Sequence, residues 1–442
     1  MTMNDKSFYL LSLGCAKNTV DSASISDILI NDGYAQFDDP RHAKVLIVNT
    51  CGFIQPAREE SISELKRLAK RKKNGQVLIA TGCLPERHRQ LIVDEVPGIS
   101  GILGTRNWSN ILNVITQASQ HDATRYDLPL ETSRRDTPSP HRYAIEGHYA
   151  YLKIADGCRR PCAFCSIPLI KGTAISRRMD EVLTEARQLS QKGIRELILI
   201  AQDTSDYGRD LGMVDGLSQL LEALGNLPER IPWVRVMYAY PGAISNRMIE
   251  TMAKHSNIVH YLDMPLQHAH PDILKGMKRP ANLDWVRKTI EEMRAAMPNL
   301  AIRTTFIVGY PGETETHFQT LLDFMSEIQF DRASAFPFFF EPGTASETYG
   351  DPIAPEVKQE RLERLMAHQA EISLRQNQKW IGRTLDVLAE GKDGGITISR
   401  SFRDAPEIDG LVIVEGELPL GEITPVMITG ALTHDLIAQP LN

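Results

Sequence analysis

The 442-residue chain carries half of its six cysteines in one run, Tyr149-Ala-Tyr-Leu-Lys-Ile-Ala-Asp-Gly-Cys-Arg-Arg-Pro-Cys-Ala-Phe-Cys165. The run opens with a short apolar strand, Tyr149–Ile154, and places Cys158, Cys162 and Cys165 in the loop that follows. Three thiolates at this spacing can bind one metal centre from a single loop. A closed structural zinc site needs four ligands, and no further Cys or His follows nearby. Three cysteines instead suit a four-iron, four-sulfur (4Fe–4S) cluster with one open iron.

The strand before the cysteines is the first of six apolar strands that alternate with helical patterns. The predicted strands are Tyr149–Ile154, Glu196–Ala201, Val234–Ala239, Val259–Leu262, Ile302–Val308 and Ala333–Phe340. Six strand–helix units in series predict a complete or partial (βα)6-type barrel. In such barrels the site lies at the carboxyl ends of the strands, which is where the cysteine run falls.

The sequence before the barrel shows the same alternation on a smaller scale. Strands are predicted at Phe8–Leu13, Val45–Asn49 and Gln76–Ala80, and each is followed by a helical pattern. This order predicts a parallel sheet with helices on both faces, that is, a three-layer α/β domain. Polar residues and three prolines between 119 and 147 indicate a linker.

The last part of the chain has a different pattern. A helix at Leu362–Gln376 leads into short alternating strands separated by Gly and acidic turns, which are typical of a small antiparallel β-barrel. The strands are predicted at Thr384–Leu388, Gly395–Ser399, Leu411–Val414 and Val426–Thr429. We therefore predict an α/β protein with domains at 1–125, 144–375 and 376–442.

The other cysteines, Cys15, Cys51 and Cys83, each follow one of the three N-terminal strands. Loops that leave the carboxyl ends of adjacent parallel strands converge on one crevice. A buried free cysteine is common, so each residue alone has an ordinary structural explanation. The shared position of all three favours a second tri-cysteine cluster site.

The CxxxCxxC spacing after the first barrel strand resembles the signature of the radical S-adenosylmethionine enzymes. The resemblance implies a 4Fe–4S cluster whose open iron binds the amino and carboxylate groups of S-adenosylmethionine. It also implies reductive cleavage of that cofactor to a 5′-deoxyadenosyl radical. The alternative from another class is a non-catalytic, zinc-stabilised RNA-binding protein with a remote fourth ligand.

Two tri-cysteine sites followed by a small β-barrel resemble the methylthiotransferases over essentially the whole chain. The resemblance implies two 4Fe–4S clusters and S-adenosylmethionine as cofactors. It implies that the N-terminal domain carries the auxiliary cluster with the sulfur to be transferred, and that the central barrel makes the radical. The last domain is then a TRAM module that contacts the macromolecular substrate, and the reaction inserts a methylthio group into a C–H bond.

Several segments resemble the branch that modifies the β-carbon of an aspartate in small-subunit ribosomal protein number twelve. They are Ser12-Leu-Gly-Cys-Ala-Lys-Asn-Thr-Val-Asp-Ser22, Asn49-Thr-Cys-Gly-Phe-Ile54, Gln202-Asp-Thr-Ser-Asp-Tyr-Gly208, Asp263-Met-Pro-Leu-Gln-His268, Arg303-Thr-Thr-Phe-Ile-Val-Gly-Tyr-Pro-Gly-Glu-Thr314 and Ser401-Phe-Arg-Asp-Ala-Pro-Glu-Ile-Asp-Gly410. The branch that acts on tRNA adenosine is the alternative. Two departures from the family pattern are Ala16, where Pro is usual, and the run Phe338–Thr344 at the last barrel strand.

The resemblance also implies cofactor-binding residues. Gln202 and Asp203 end a barrel strand, where polar groups are expected to contact S-adenosylmethionine; the alternative is a polar strand cap. Arg177 is expected to pair with the cofactor carboxylate, or to be an ordinary surface charge. Gly309 is expected to let a turn approach the adenosine, or simply to form the turn. No catalytic side chain is assigned.

Charge separates the two substrate branches. The whole chain has a formal net charge of -7, and the residues from Lys379 onward include ten acidic and five basic residues. Such a surface repels a phosphate backbone, so direct nucleic-acid binding is not expected. It suits a basic partner, such as a ribosomal protein of the small subunit; the alternative is that these acids only solvate the turns. The resemblance adds an electron donor such as a flavodoxin or ferredoxin system.

The sequence lacks an apolar run long enough to cross a bilayer, and its N-terminus lacks the features of a signal peptide. We therefore expect no membrane partner and a cytoplasmic enzyme.

Overall fold

The structure is a computed structural model that describes residues 6–120 and 141–441. Contacts divide it into two compact units. Unit 1 consists of the chain up to Ala144, Tyr151–Arg160 and Ser166–Ile175. Unit 2 consists of Ile145–Ala150, Pro161–Cys165 and the chain from Ser176 onward. Within the described residues, none of the helices has the length and apolar character needed to span a bilayer.

Unit 1 contains a parallel sheet with the strand order β2-β1-β3-β4-β5. Its strands are β1 (Ser7–Ser12), β2 (Ala35–Gln36), β3 (Val45–Thr50), β4 (Val77–Gly82) and β5 (Gly101–Gly104). Its helices are α1 (Ala16–Asn31), α2 (Gln55–Arg71), α3 (Cys83–Glu95) and α4 (Ile111–Gln120). The sequence pattern did not predict β2, β5 or α4.

Both faces of this sheet are covered. Along β3, Leu46 and Val48 pack with buried residues of α2 and α3, whereas Val45 and Ile47 pack with buried residues of α1 and α4. Successive side chains of a strand point to opposite faces, so a strand buried on both sides must be apolar throughout. Each fully buried Val, Leu or Ile contributes about 1.5–3 kcal/mol. The predicted three-layer arrangement is confirmed.

The central region forms a sheet with the order β14-β13-β12-β11-β10-β7-β6. The strands of this sheet are β6 (Tyr143–Glu146), β7 (Tyr149–Lys153), β10 (Glu196–Ile200), β11 (Trp233–Val236), β12 (Ile258–Asp263), β13 (Ala301–Val308) and β14 (Arg332–Pro337). Two further strands, β8 (Ala155–Asp156) and β9 (Ile175–Ser176), form a separate two-stranded sheet. The helices are α5 (Ile167–Lys171), α6 (Met179–Gln191), α7 (Gly216–Gly225), α8 (Asn246–Lys254), α9 (Pro271–Gly276), α10 (Leu283–Ala296), α11 (Glu315–Ile328) and α12 (Pro355–Gln378). The six predicted strands are all present, and the partial barrel is confirmed.

One part of the predicted linker is wrong. Tyr143–Glu146 is a strand, with Tyr143 and Ala144 buried. The short apolar alternation in this segment was masked by the polar, proline-containing sequence before it. The start of the predicted linker is also wrong, because residues 119 and 120 end α4. Residues 121–140 lie outside the described part of the chain.

The C-terminal strands form a closed barrel with the order β15-β16-β17-β19-β18. They are β15 (Thr384–Asp393), β16 (Ile396–Ser401), β17 (Val412–Val414), β18 (Ile423–Ala431) and β19 (Leu436–Pro440). The barrel was predicted to be antiparallel, but β17 and β19 pair in parallel. The reason is geometric, because an odd number of strands cannot alternate in direction all the way round a closed barrel.

The first half of the segment between β16 and β17, residues 403–406, is buried within unit 2. The Nη1 atom of Arg235 on β11 donates a hydrogen bond to the Phe402 carbonyl at 2.7 Å. The hydroxyl of Tyr261 on β12 donates a hydrogen bond to Asp409 at 2.7 Å. The segment Ser401–Gly410, which the sequence singled out, therefore packs directly against strands of the central sheet.

Candidate functional site

The N-terminal cysteines lie where strands of unit 1 give way to helices. Cys15 is the residue before α1, Cys51 follows β3 directly, and Cys83 is the first residue of α3. A Cβ atom built on Gly14 would lie 3.1 Å from the sulfur of Cys51. The thiols are close enough to interact electrostatically: a negative charge on Cys15 raises the pKa of Cys51, and negative charge on either residue raises the pKa of Cys83. The structure thus brings the three thiols to one edge of the sheet.

Two glycines allow this close approach. Gly82, at the end of β4, has a φ of +100°, and a Cβ there would lie 2.3 Å from Oδ1 of Asn49. A Cβ on Gly52 would lie 2.7 Å from the Cα of Leu84. Real Cβ atoms do not tolerate such contacts, and φ values near +100° are costly for residues other than glycine. Only glycine lets the strand-end loops meet here.

Asn18 is a structural residue of this site that the sequence pattern did not reveal. Its buried side chain donates to the carbonyls of Leu13 at 2.9 Å and Thr50 at 3.1 Å. Its Oδ1 atom lies 3.6 Å from the sulfur of Cys83. One amide therefore connects the loops that carry all three cysteines. The only sequence signal was its position three residues after Cys15.

The thiols differ in their ease of ionisation. Burial raises the pKa of Cys83 to about 12 and also raises the pKa of Cys51. Cys15 is exposed; desolvation by the surrounding protein opposes its ionisation, but Lys17 and backbone N–H groups bring its pKa below the ordinary value. Binding a metal requires thiolates, so loading this site would release protons. The N-termini of α1 and α3 favour negative charge at this position.

A buried charge cluster lies beside these cysteines in unit 1. Asp21 on α1 accepts hydrogen bonds from Lys171 at 2.9 Å, from Lys153 and from Arg142. Burial alone would raise the pKa of Asp21, but the three cations hold it well below its usual range. The charge of Lys171 lowers the pKa of both Cys15 and Cys83. Lys171 thus favours the thiolates, whereas the charge of Asp21 raises the pKa of Cys83. The cluster joins α1 to the segments on either side of the second cysteine run.

Cys158 belongs to unit 1. Its N–H donates to the Gly172 carbonyl at 3.0 Å, and its sulfur accepts the N–H of Arg160 at 3.4 Å. Gly157 before it has a φ of +80°, and a Cβ there would lie 2.2 Å from the Thr173 carbonyl oxygen. The turn that presents Cys158 thus requires glycine.

Cys162 and Cys165 belong to unit 2, where their loop is held by neighbouring backbone. The N–H of Ala163 donates to the Met277 carbonyl at 2.8 Å, and the Ala163 carbonyl accepts the N–H of Ser346 at 2.8 Å. Phe164 packs against an apolar cluster that includes Met277, Tyr310 and Phe338. The loop is therefore seated at the carboxyl ends of the barrel strands, as the sequence predicted.

Gln202 and Asp203 follow β10 in the same region of unit 2. Asp203 is buried and accepts a hydrogen bond from Ser205, whose hydroxyl oxygen accepts the N–H of Tyr240 at 3.1 Å. The adjacent backbone is unusual, because Tyr238 and Gln267 have φ values of +60° and +76°. Such conformations cost about 1–3 kcal/mol each and cluster at functional sites. Tyr238 and Tyr240 were not predicted as site residues.

Arg177 and Gly309 both have defined partners within the protein. Arg177 makes a two-point ion pair with Glu185, at 2.7 and 2.8 Å. The N–H of Gly309 donates to Glu313 at 2.9 Å, and a Cβ on Gly309 would lie 2.4 Å from Cγ of Lys358. These contacts account for both residues without a ligand, and their contacts with the cofactor stay predictions.

A group of potential metal ligands that the sequence did not suggest is formed by His270, Asp272 and His317, whose ligand atoms lie within 4.8 Å of one another. Nδ1 of His270, however, accepts the N–H of Asp272 at 3.2 Å and caps α9. A neutral ring that accepts through Nδ1 carries its proton on Nε2, so it has no lone pair left for a metal. We assign no metal to this group.

Comparison with known proteins agrees with this architecture. Residues 7–104 match the uncharacterized protein family UPF0004, residues 152–325 the radical SAM superfamily and residues 381–441 the TRAM domain. The chain is 44% identical over 458 residues to the ribosomal protein uS12 methylthiotransferase RimO of Roseiflexus castenholzii, which covers 97% of this chain and 95% of that protein. The chain belongs to the RimO methylthiotransferase family.

The RimO of Chloroflexus aurantiacus is also 44% identical, over 457 residues that cover 98% of this chain and all of that protein. Membership of the RimO family confirms the prediction of a radical S-adenosylmethionine methylthiotransferase, and the non-catalytic zinc protein finds no support. Among solved structures, the radical methyltransferase TsrM from Kitasatospora setae has a TM-score of 0.59 at 14% identity and covers 79% of each chain. That similarity shows the fold alone.

Proposed function

We propose that this enzyme inserts a methylthio group at the β-carbon of an aspartate in ribosomal protein uS12. The observation that carries the proposal is the convergence of Cys15, Cys51 and Cys83 at one sheet edge, in a chain that has a second tri-cysteine run. A radical enzyme needs one cluster to reduce its cofactor, and insertion of sulfur needs a second site that holds it. The RimO relatives, named as uS12 methylthiotransferases, indicate the substrate.

In this proposal Cys158, Cys162 and Cys165 hold a 4Fe–4S cluster that supplies the electron for cleaving S-adenosylmethionine. Gln202 and Asp203 bind the polar groups of that cofactor, and Ser205 fixes the orientation of the Asp203 carboxylate. Arg177 contributes positive charge toward the cofactor carboxylate, although Glu185 already accepts two of its hydrogen bonds. The turn at Gly309 contacts the adenosine through its backbone.

Cys15, Cys51 and Cys83 hold the second 4Fe–4S cluster, which carries the sulfur to be transferred. The chain contributes three features to this site. Asn18 fixes the loops, the N-termini of α1 and α3 favour negative charge, and Lys171 stabilises thiolates.

The macromolecular partner is a basic protein of the small ribosomal subunit. Two of the basic and two of the acidic residues from Lys379 onward, namely Arg400, Arg403, Asp404 and Asp409, have side chains at most 2% exposed and pair with other buried groups. The remaining eight acids and three bases keep this surface acidic. An acidic surface attracts a basic protein and repels nucleic acid. A small electron-transfer protein, such as a flavodoxin or ferredoxin, is the proposed reductant.

The test is the iron and sulfide content after anaerobic reconstitution. The wild type should hold about eight irons, and Cys158→Ala/Cys162→Ala/Cys165→Ala and Cys15→Ala/Cys51→Ala/Cys83→Ala should each hold about four. The reconstituted wild type should then add a methylthio group to uS12 and not to tRNA, as measured by mass spectrometry. Zinc in place of iron, or modification of tRNA alone, would contradict the proposal.

A further inference from the structure

Arg279 lies next to one of the proposed cluster ligands. It follows α9 in unit 2, and its Nη1 atom is 3.6 Å from the sulfur of Cys162. Its Nη2 atom donates to the carbonyl of Pro265. Its guanidinium carbon lies 4.3 Å from the ring centroid of Tyr240. Within the part of the chain that the structure describes, its buried Nε atom has no hydrogen-bond partner.

These contacts fix the guanidinium in position. The Pro265 carbonyl and the Tyr240 ring hold it from two directions, and a cation stacked on an aromatic ring contributes about 0.5–2 kcal/mol. The backbone adds a third constraint, because the N–H of Arg279 donates to the Leu274 carbonyl at 2.8 Å. A free arginine side chain populates many rotamers. These contacts restrict Arg279 to one conformation, in which an N–H group points at the sulfur of Cys162.

The other partner of the contact is fixed by the same short stretch of chain. The loop that carries Cys162 is anchored through Ala163, whose N–H donates to the Met277 carbonyl at 2.8 Å. Met277 lies two residues before Arg279. This anchor keeps the backbone of Arg279 beside the cysteine loop, and the N–H···S contact therefore joins two neighbouring segments of unit 2.

A cation that donates a hydrogen bond to a ligand sulfur stabilises the more negative state of a cluster. Reduction adds one negative charge, so the reduced state gains more from the arginine than the oxidised state does. Hydrogen bonds to sulfur are among the established determinants of the reduction potential of iron–sulfur clusters. Arg279 is placed to make the cluster easier to reduce.

We propose that Arg279 is a positioning residue that hydrogen-bonds the sulfur of Cys162 and raises the reduction potential of the radical-generating cluster. The proposal rests on the proposed function, because it requires a cluster at Cys158, Cys162 and Cys165. Tyr240 supports the arginine and is itself tied through Ser205 to Asp203. Arg279 is thus connected, through Tyr240 and Ser205, to the predicted cofactor-binding residue Asp203.

The experiment uses the full chain with Cys15, Cys51 and Cys83 changed to Ala, so that one cluster remains. In this background we compare three variants, Arg279→Met, Arg279→Lys and Tyr240→Leu. The measurement is a redox titration of the cluster in the absence of S-adenosylmethionine, monitored by electron paramagnetic resonance. The matched control is Arg287→Met, because Arg287 also packs over an aromatic ring and pairs with acids far from the cysteine loop in sequence.

We expect Arg279→Met to shift the midpoint potential to a more negative value, and Arg287→Met to leave it unchanged. Arg279→Lys keeps the charge but not the geometry, and Tyr240→Leu removes the support but not the donor. Both should therefore give smaller shifts in the same direction. If Arg279→Met fails to load iron, Tyr240→Leu decides, since a negative shift supports the proposal and an unchanged potential overturns it.

Failure of this inference differs from failure of the proposed function. A parent background that binds no iron would contradict the proposed function itself. Full iron in every variant with one common potential would overturn the role of Arg279 alone. An unchanged potential together with a raised KM for S-adenosylmethionine would also overturn it, because Arg279 would then act on the cofactor.

Discussion

Arg332 donates a hydrogen bond to Asp404 at 2.7 Å, and both side chains are buried. Arg332 begins the last barrel strand, whereas Asp404 lies in the segment between β16 and β17. In a second ion pair the arginine and the acid exchange places: Arg403 of the segment between β16 and β17 pairs with Asp331, the residue before β14, at 3.0 Å. The C-terminal barrel is therefore fastened to the central sheet by buried, reciprocal ion pairs, and it acts as an integral part of unit 2.

Asp404→Asn tests this attachment. Removing one partner of a buried ion pair leaves the other charge uncompensated, so we expect the free energy of unfolding to fall by about 3 kcal/mol at pH 7. Burial alone would raise the pKa of Asp404, but Arg332 and Arg403 lower it below the ordinary value. Its contribution is thus fully present above the ordinary carboxyl pKa of about 4 and is lost as the pH falls through the lowered value.

The measurement is urea unfolding of the wild type and Asp404→Asn at neutral pH and at several values below about pH 4. The difference between the two proteins should shrink as the pH falls. Asp386→Asn is the control, because Asp386 is exposed on the same barrel. It should change stability by less than about 0.5 kcal/mol throughout. A difference for Asp404→Asn that stays constant with pH would show that its carboxylate charge is not what stabilises the attachment.

Gly157→Ala and Gly147→Ala form a matched pair. Both glycines have positive φ, at +80° and +57°, but no described atom lies within 4 Å of a Cβ at Gly147. Gly147→Ala should cost only the backbone strain of about 1 kcal/mol. Gly157→Ala adds a clash with the Thr173 carbonyl worth about 1–3 kcal/mol and displaces Cys158.

Iron analysis separates the two variants. We expect Gly157→Ala to hold about four irons and Gly147→Ala to keep about eight, in line with one cluster per tri-cysteine site. Equal iron content in both would mean that the turn before Cys158 does not position a ligand.

Asn18→Ala examines the N-terminal site without changing a cysteine. The substitution removes a donor from the buried carbonyl of Thr50 and from the partly buried carbonyl of Leu13, and we expect a loss of about 3 kcal/mol in unfolding free energy. The iron content should fall by about half, because the loops of Cys15 and Cys51 are no longer joined. Asn113→Ala is the control, since Asn113 is exposed on α4. Full iron in Asn18→Ala would remove the role assigned to this amide.

The apolar patterns predicted most of the fold, because a buried strand or helix face needs apolar side chains at a fixed spacing. They failed for short or hidden elements. Gly101–Gly104 has only two large apolar residues, and Leu436–Pro440 ends in proline, so neither segment stood out as a strand. The parallel pairing of β17 with β19 depends on how a five-strand barrel closes, which no local pattern contains.

The sequence by itself determined where the cysteines stand, because their positions after strands follow from local order along the chain. Only the tertiary structure decided what surrounds them. Arg279 and Cys162 are 117 residues apart, and Lys171 and Asp21 are 150 residues apart. Contacts between such distant residues depend on how helices and strands pack, and the same residue types occur at many other positions. The chemistry of each cysteine could therefore be predicted from spacing, whereas the groups that tune it could be found only in the folded chain.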